Sequence, residues 1–186
     1  LKFGNYSYDG YVLLTSRGCP FNCEFCSSKN IWTRKVRFRS AEHVARELWA
    51  IKSLGVNNLR ICDDTFTLNK NHVQNICKVI RDNNLDTIKY SIGSRIDTIN
   101  RQLLEQLVKA NVKRITFGIE SGSRKILKEI NKGLDVKKVV PTIKMVNDMG
   151  INATAFFIIG HPNETADDLE KTFELMRNIA YSCPLT

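Results

Sequence analysis

The 186-residue chain has no run of about eighteen apolar residues, so no membrane-spanning helix is expected. It has no initiator methionine before Leu1-Lys-Phe and no charged-then-apolar leader, and therefore reads as a piece of a longer cytoplasmic protein. No low-complexity segment interrupts it. Hydrophobic residues make up 42% and charged residues 25%, the balance of one ordinary globular domain with a sizeable core. A chain so supplied does not need disulfides, which removes the disulfide-scaffold reading of its six cysteines. Acidic charge is in deficit: 19 Asp and Glu against 28 Lys and Arg leave a net +9. The densest basic stretch is Arg34-Lys-Val-Arg-Phe-Arg39. With an aromatic inside it, it is a candidate RNA contact, although such runs are more often a solvated face.

The cysteines are unevenly placed. Cys62, Cys77 and Cys183 are scattered, whereas Cys19, Cys23 and Cys26 share one loop, Arg17-Gly-Cys-Pro-Phe-Asn-Cys-Glu-Phe-Cys26. Thiolates spaced four and then three residues apart can close on one small metal cluster. A cubane 4Fe–4S cluster takes four ligands, so three cysteines leave one iron open to bind something else. A zinc site usually supplies four ligands in two separated pairs, which this chain lacks. A non-catalytic iron–sulfur or zinc-binding module is the reading to set against a reactive site.

Apolar runs alternate with helical periodicity. Strands are expected at Tyr11–Thr15, Asn58–Cys62, Ile88–Ile92, Lys113–Ile119 and Ala153–Ile159. Ser40, Asn69 and Thr165 stand where helix N-caps belong, further helices are expected over Asn100–Ala110 and from near Ser123, and Asp168 completes a capping box with Leu169, Phe173 and Met176 behind it. Gly55, Gly133 and Gly150 mark helix ends or breaks. Five strand-then-helix units predict a parallel sheet, either doubly wound or part of a (β/α) barrel. Apolar strands such as Ala-Phe-Phe-Ile-Ile are expected to be buried on both faces. Both architectures bind ligands at the carboxyl ends of their strands. There this sequence places the cysteine loop, Asp63-Asp64, Ser94-Arg95, Glu120-Ser121-Gly122 and Gly160-His-Pro-Asn-Glu164. Any one of these junctions is explained by capping or turn chemistry; five together favour a shared site.

The CxxxCxxC loop, with Phe25 just before its last cysteine and directly after the first strand, resembles the radical SAM superfamily. The resemblance extends over essentially the whole chain. It implies a partial (β/α) TIM-type barrel of parallel strands, truncated after about five βα units, with residues 1–186 as the core domain. It also implies a 4Fe–4S cluster on Cys19, Cys23 and Cys26 whose open iron chelates S-adenosylmethionine. Reductive cleavage then gives methionine and a 5′-deoxyadenosyl radical that abstracts hydrogen from a substrate. Further roles follow from the same resemblance. Asp63 or Asp64 stands where a Gly-Gly-Glu run of the family holds the methionyl ammonium. Glu120 resembles the acceptor for the ribose hydroxyls. Ile158 and Gly160 lie in a looser match to the adenine-side motif, with Phe156 in place of its leading glycine. Ser94 and Arg95 occupy a third-strand position near the carboxylate or ribose.

The Arg37-x-Arg-Ser run, Asp-Asp-Thr-Phe-Thr67, Gly-Ile-Glu-Ser-Gly122 and Gly-x-Pro-x-Glu164 look most like the branch that carries a cobalamin-binding domain ahead of the barrel. That branch includes anaerobic magnesium-protoporphyrin cyclase-like enzymes and radical methyltransferases. The runner-up is the methylthiotransferase branch acting on tRNA or protein. The implied partners are S-adenosylmethionine, a reductant such as flavodoxin or ferredoxin, a small-molecule substrate in preference to RNA, and cobalamin held outside these residues. A sixth strand is due after the fifth helix, so self-association through an open barrel edge is expected. Of the remaining candidates, His43 and His72 read as surface, His161 as an incidental loop residue and Cys62 as a small buried hydrophobe. Trp32 and Trp49 read as packing, and Phe21 and Phe25 as shields for the cluster.

Overall fold

From residue 58 on, every strand of this chain is followed by a helix, so neighbouring strands there pair in parallel by crossing over through that helix. The structure, a computed structural model, describes residues 11–182 and the short strands at residues 2–3 and 6–7; Cys183 lies outside the described residues. β1 (Lys2–Phe3) and β2 (Tyr6–Ser7) form an antiparallel pair. β3 (Tyr11–Leu13) opens the main sheet, and β4 (Ser16–Arg17) leads into the cysteine loop and α1 (Ser28–Trp32). β5 (Arg37–Phe38) returns antiparallel to β4. Then follow α2 (Ala41–Ser53), β6 (Asn58–Ile61), α3 (Lys70–Asp82), β7 (Lys89–Ser94) and α4 (Arg101–Lys109). β8 (Val112–Glu120), α5 (Arg124–Glu129), α6 (Val139–Asp148), β9 (Asn152–Phe157) and α7 (Ala166–Ser182) complete the order.

The sheet runs β3-β6-β7-β8-β9, parallel throughout and in sequence order. A doubly wound sheet reverses its order at a switch point, so this is a barrel wall; among the described residues it does not close. Leu59, Ile61, Tyr90, Ile92, Ile115 and Phe117 face the helices and are buried. The alternate positions Arg60, Ser91, Gly93, Arg114 and Thr116 lie on the other face, exposed or half-buried. Residues that face the lumen of a barrel are covered only when the wall closes.

That open face corrects one expectation. β9 is an edge strand and is not buried on both faces: Phe156 is 56% exposed, and beyond the strand Ile159 is 53% exposed. The basic run is also only partly solvated. Arg39 donates to Leu14 O at 2.6 Å and pairs with Glu47, and Arg37 donates to Trp32 O at 3.1 Å. Its central residues thus form β5, which braces the strand before the cysteines.

Ser40 and Asn69 cap their helices as expected, accepting from the His43 and His72 backbone N–H groups, and Asn100 and Ser123 do the same for Leu103 and Ile126. These caps set where each helix starts after its strand and loop. Asp168 accepts from Ser123 Oγ at 2.6 Å, Lys125 Nζ at 2.9 Å and Thr165 Oγ1 at 2.8 Å. These bonds, Ser123's foremost, hold its carboxyl well below the usual carboxylate range.

α7 docks through a different stripe from the one its periodicity suggests. Asp168, Thr172 and Leu175 are buried while Phe173 is exposed. The cause is the Ser121-Gly-Ser123 segment: Thr172 Oγ1 takes the Gly122 N–H at 3.0 Å and lies 3.1 Å from Ser121 Oγ. A Cβ on Gly122 would lie 2.3 Å from Lys171 O and 2.8 Å from Thr172 Cα. Backbone cannot move aside as a side-chain tip can. Gly122→Ala is therefore expected to cost about 1–3 kcal/mol, lowering Tm by roughly 2–4 °C per kcal/mol. Thermal unfolding of the full-length protein checks it; an unchanged Tm would mean that α7 is not seated against Gly122.

Candidate functional site

The cysteine loop lies at the carboxyl end of the sheet because three neighbouring strands hold it there. Asp63, at the end of β6, accepts from Thr15 N at 2.6 Å, Thr15 Oγ1 at 2.5 Å and Ser16 Oγ at 2.6 Å. His72 Nε2 lies 3.0 Å from the same Thr15 hydroxyl, and its ring is 4.7 Å from that of Phe38. Asp64 Oδ2 takes the Gly18 N–H at 3.0 Å. Gly18 has φ +97°, and a Cβ there would lie 2.5 Å from Lys35 O, so only glycine fits at the entry to the loop.

Three sequence expectations are corrected here. His72 is buried, where its place in a first helical turn suggested surface. The side chain is drawn inward between Thr15 and Phe38, and burial holds its pKa below the ordinary imidazole range, with Asp63 opposing. Cys62 is exposed, where a buried hydrophobe was expected, because it continues the Asn58–Arg60 row onto the uncovered face. Trp49 is also largely exposed, with the Lys52 ammonium 5.2 Å from its ring.

Within the loop, Cys26 N–H bonds to Cys23 O at 3.2 Å, and Cys19 Sγ lies 3.9 Å from Thr65 Oγ1. All three thiols are free; Cys23 is buried, Cys19 and Cys26 half-buried. The far side of the loop is tied to the turn after α5. Glu24 N–H donates to Ile130 O at 3.0 Å, and Asn131 Nδ2 donates to Glu24 Oε1 at 2.8 Å. Phe21 rests on Arg95, whose Cζ is 3.8 Å from the ring centroid, and Phe25 lies 5.8 Å from Lys132 Nζ. Burial pushes the Cys23 thiol pKa up, and Lys132 and then Arg95 are the charges that oppose it.

Three free thiols on one loop, fixed at both ends, are a donor set of the kind a 4Fe–4S cluster takes.

Glu120 ends β8 with φ +72°, a conformation that a non-glycine residue rarely holds without local support. Its carboxylate folds back over Gly118, where a Cβ would lie 2.3 Å from Glu120 Oε1. Lys132 Nζ donates to that oxygen at 2.9 Å, and both side chains are buried. Glu120 O accepts the Ile158 N–H at 2.8 Å, which joins the fifth strand's loop to the site. Further along, Gly160 N–H is taken by Glu164 Oε2 at 2.6 Å, and His161 Nε2 and Glu164 Oε1 are buried without a partner among the described residues. Ser94 is buried in a hydroxyl cluster with Thr67 and Thr98. Arg95 forms a two-pronged pair with Asp97 and donates to Lys132 O at 2.8 Å.

The structure thus brings the cysteine loop, Asp64, Arg95 and Glu120 to one rim, with Ile158 bonded to it. Asp63 and Ser94 lie just beneath, their polar atoms engaged within the chain. Lys132 is the residue that sequence reasoning missed. Its signal was the Asn131-Lys-Gly133 turn, in which Asn131 and Gly133 take φ +52° and +63° and turn the lysine back toward the sheet.

The family model described as the radical SAM superfamily matches residues 13–176. An uncharacterized methyltransferase of Pyrococcus horikoshii is 36% identical over 96% of this chain and 40% of its own length. The anaerobic magnesium-protoporphyrin IX monomethyl ester cyclase of Rubrivivax gelatinosus is 30% identical over 88% of this chain and 30% of its own length. Among solved structures, the cobalamin-dependent S-adenosylmethionine radical enzyme OxsB, with aqua-cobalamin and S-adenosylmethionine bound, superposes with a TM-score of 0.75 at 25% identity. That match covers 88% of this chain and 26% of OxsB. The chain spans less than half the length of each of these proteins.

Proposed function

The chain belongs to the radical SAM superfamily of enzymes, and on that premise we propose that it forms the cofactor-cleaving core of a cobalamin-associated radical methyltransferase or cyclase. The observation that carries this reading is the three-cysteine loop, fixed at the carboxyl rim of a parallel barrel wall beside a buried Glu120–Lys132 pair. The methyltransferase and cyclase among the relatives, and the cobalamin bound by OxsB, support the choice of branch.

Cys19, Cys23 and Cys26 would hold the 4Fe–4S cluster. When bound and reduced, that cluster supplies the one-electron cleavage of S-adenosylmethionine to methionine and a 5′-deoxyadenosyl radical. Asp64 takes the methionyl ammonium, because it is exposed and its neighbour Asp63 is already saturated by Thr15 and Ser16. Glu120 accepts from the ribose hydroxyls through the oxygen that Lys132 does not occupy. The backbone at Ile158 and Gly160 borders the adenine. Ser94 supports the rim from beneath, and Arg95, on the rim, holds Phe21 in place. Phe21 and Phe25 exclude water from the thiolates. The substrate is a small molecule, the reductant a flavodoxin or ferredoxin of the cytoplasm, and cobalamin is held by a domain outside these residues.

The test is anaerobic reconstitution of the full-length protein, followed by dithionite and S-adenosylmethionine. Methionine and 5′-deoxyadenosine are expected in equal amounts. An intact cluster with no 5′-deoxyadenosine would leave a non-catalytic iron–sulfur module. A methylthiolated RNA or protein product would move the enzyme to the methylthiotransferase branch.

A further inference from the structure

Phe21 and Phe25 flank Cys23 two residues away on either side, and each aromatic ring lies over a buried cation. Arg95 is 6% exposed and Lys132 7%. The Arg95 guanidinium is tied to the Lys132 backbone, since Arg95 Nη2 donates to Lys132 O at 2.8 Å. Each also has one carboxylate partner: Asp97 for Arg95 and Glu120 for Lys132. The loop above is pinned to the same turn by the Glu24–Ile130 and Glu24–Asn131 bonds.

The plain explanation is that Lys132 merely neutralises Glu120. It does not account for the arrangement. A buried ion pair adds little stability, because desolvation offsets its attraction. Nor does it explain why a second buried cation is tied to the first, both beneath the same loop. Two buried cations held under one loop act electrostatically on any negative charge which that loop carries, even though each also has a carboxylate partner. Three thiolates on a 4Fe–4S core are net negative, and accepting one electron adds a further negative charge.

We propose that Lys132, assisted by Arg95, is a fixed counter-charge beneath Cys19, Cys23 and Cys26 that favours the reduced cluster, and that Glu120 acts on the same couple with opposite sign. This rests on the cluster-binding reading above. The electron comes from an external low-potential donor, and no proton or bond change accompanies its arrival. Phe21 and Phe25 present ring faces to the cations, which orients the positive groups and keeps water from screening them.

The experiment is an EPR-monitored redox titration of the reconstituted full-length protein with dithionite and mediators, without S-adenosylmethionine. Lys132→Met is expected to lower the reduced-to-oxidised ratio at a given potential about tenfold, a shift of about 59 mV for a one-electron couple. Glu120→Gln keeps the shape and a hydrogen bond to Lys132, and is expected to raise the ratio. Lys132→Arg restores a value near that of the parent. Shifts of the same sign in Lys132→Met and Glu120→Gln, or no shift in either, would overturn the inference. If Lys132→Met fails to keep its cluster, the sign of the Glu120→Gln shift decides alone. A parent protein that binds no cluster would instead sink the functional reading on which this inference stands.

Discussion

Cys23→Ala is expected to abolish the visible absorption of the anaerobically reconstituted protein and to reduce bound iron to background, while the fold persists. Cys23 is the middle cysteine and the buried one of the three, with Lys132 and Arg95 as its electrostatic neighbours. Losing it leaves two thiolates, one short of the set that leaves a single iron open. The alanine removes one sulfur from a loop whose anchors are backbone or remote. Glu24 N–H to Ile130 O, Gly18 N–H to Asp64 and the Asp63 network all survive the change. Far-UV circular dichroism and Tm should therefore stay close to those of the parent. Iron and colour retained in Cys23→Ala would remove this cysteine from the ligand set. Equal losses of colour and helical signal would show that the loop is structural and not a cluster cradle.

Asp63→Ala is expected to be among the most destabilising single changes in the chain. It would leave Thr15 N–H and Ser16 Oγ without their acceptor in a buried position, and Thr15 Oγ1 with only His72 Nε2 beside it. Each orphaned buried donor costs about 1–3 kcal/mol, and because the three share one network a total of about 3–5 kcal/mol is the reasonable expectation. Total stabilities lie at about 5–15 kcal/mol, so the loss consumes a large part of the reserve. The milder Asp63→Asn keeps one acceptor and should fall between. Urea denaturation reads the midpoint for both. The control is the neighbouring Asp64→Asn. That side chain is exposed, and the change should leave stability within about 0.5 kcal/mol while weakening S-adenosylmethionine binding. If the two positions exchange behaviour, with Asp63 variants stable but deficient in binding, then Asp63 is the ligand-facing carboxylate.

This difference between adjacent aspartates shows where the sequence stops being readable. Asp63 and Asp64 have the same chemistry and adjacent positions, so no pattern along the chain separates them. What separates them is the turn at the end of β6, which points one toward Thr15 and the other toward Gly18. His72 is a similar case. Its place in the first turn of a capped helix is correct, yet Phe38 and Thr15, both far from it in sequence, cover it. The stripe on α7 follows the same logic. Its apolar spacing favoured Phe173, but the helix sits on Thr172 because Gly122 lets backbone approach backbone there.

The sequence by itself determined the alternation of the main strands and helices, the caps at Ser40 and Asn69, the three-cysteine loop and the cluster of polar residues at strand ends. These are written in spacing and period, which depend on neighbours within a turn or two of chain. Only the tertiary structure decided that the sheet runs in sequence order as an open wall and that Asp63 is internal. It alone placed Lys132 and Arg95 under Phe25 and Phe21. The contacts behind these facts, Glu24 with Ile130 and Arg95 with Lys132, join parts of the chain with no common period. Their energies are set by burial and by charges close in space, and position along the sequence does not encode either.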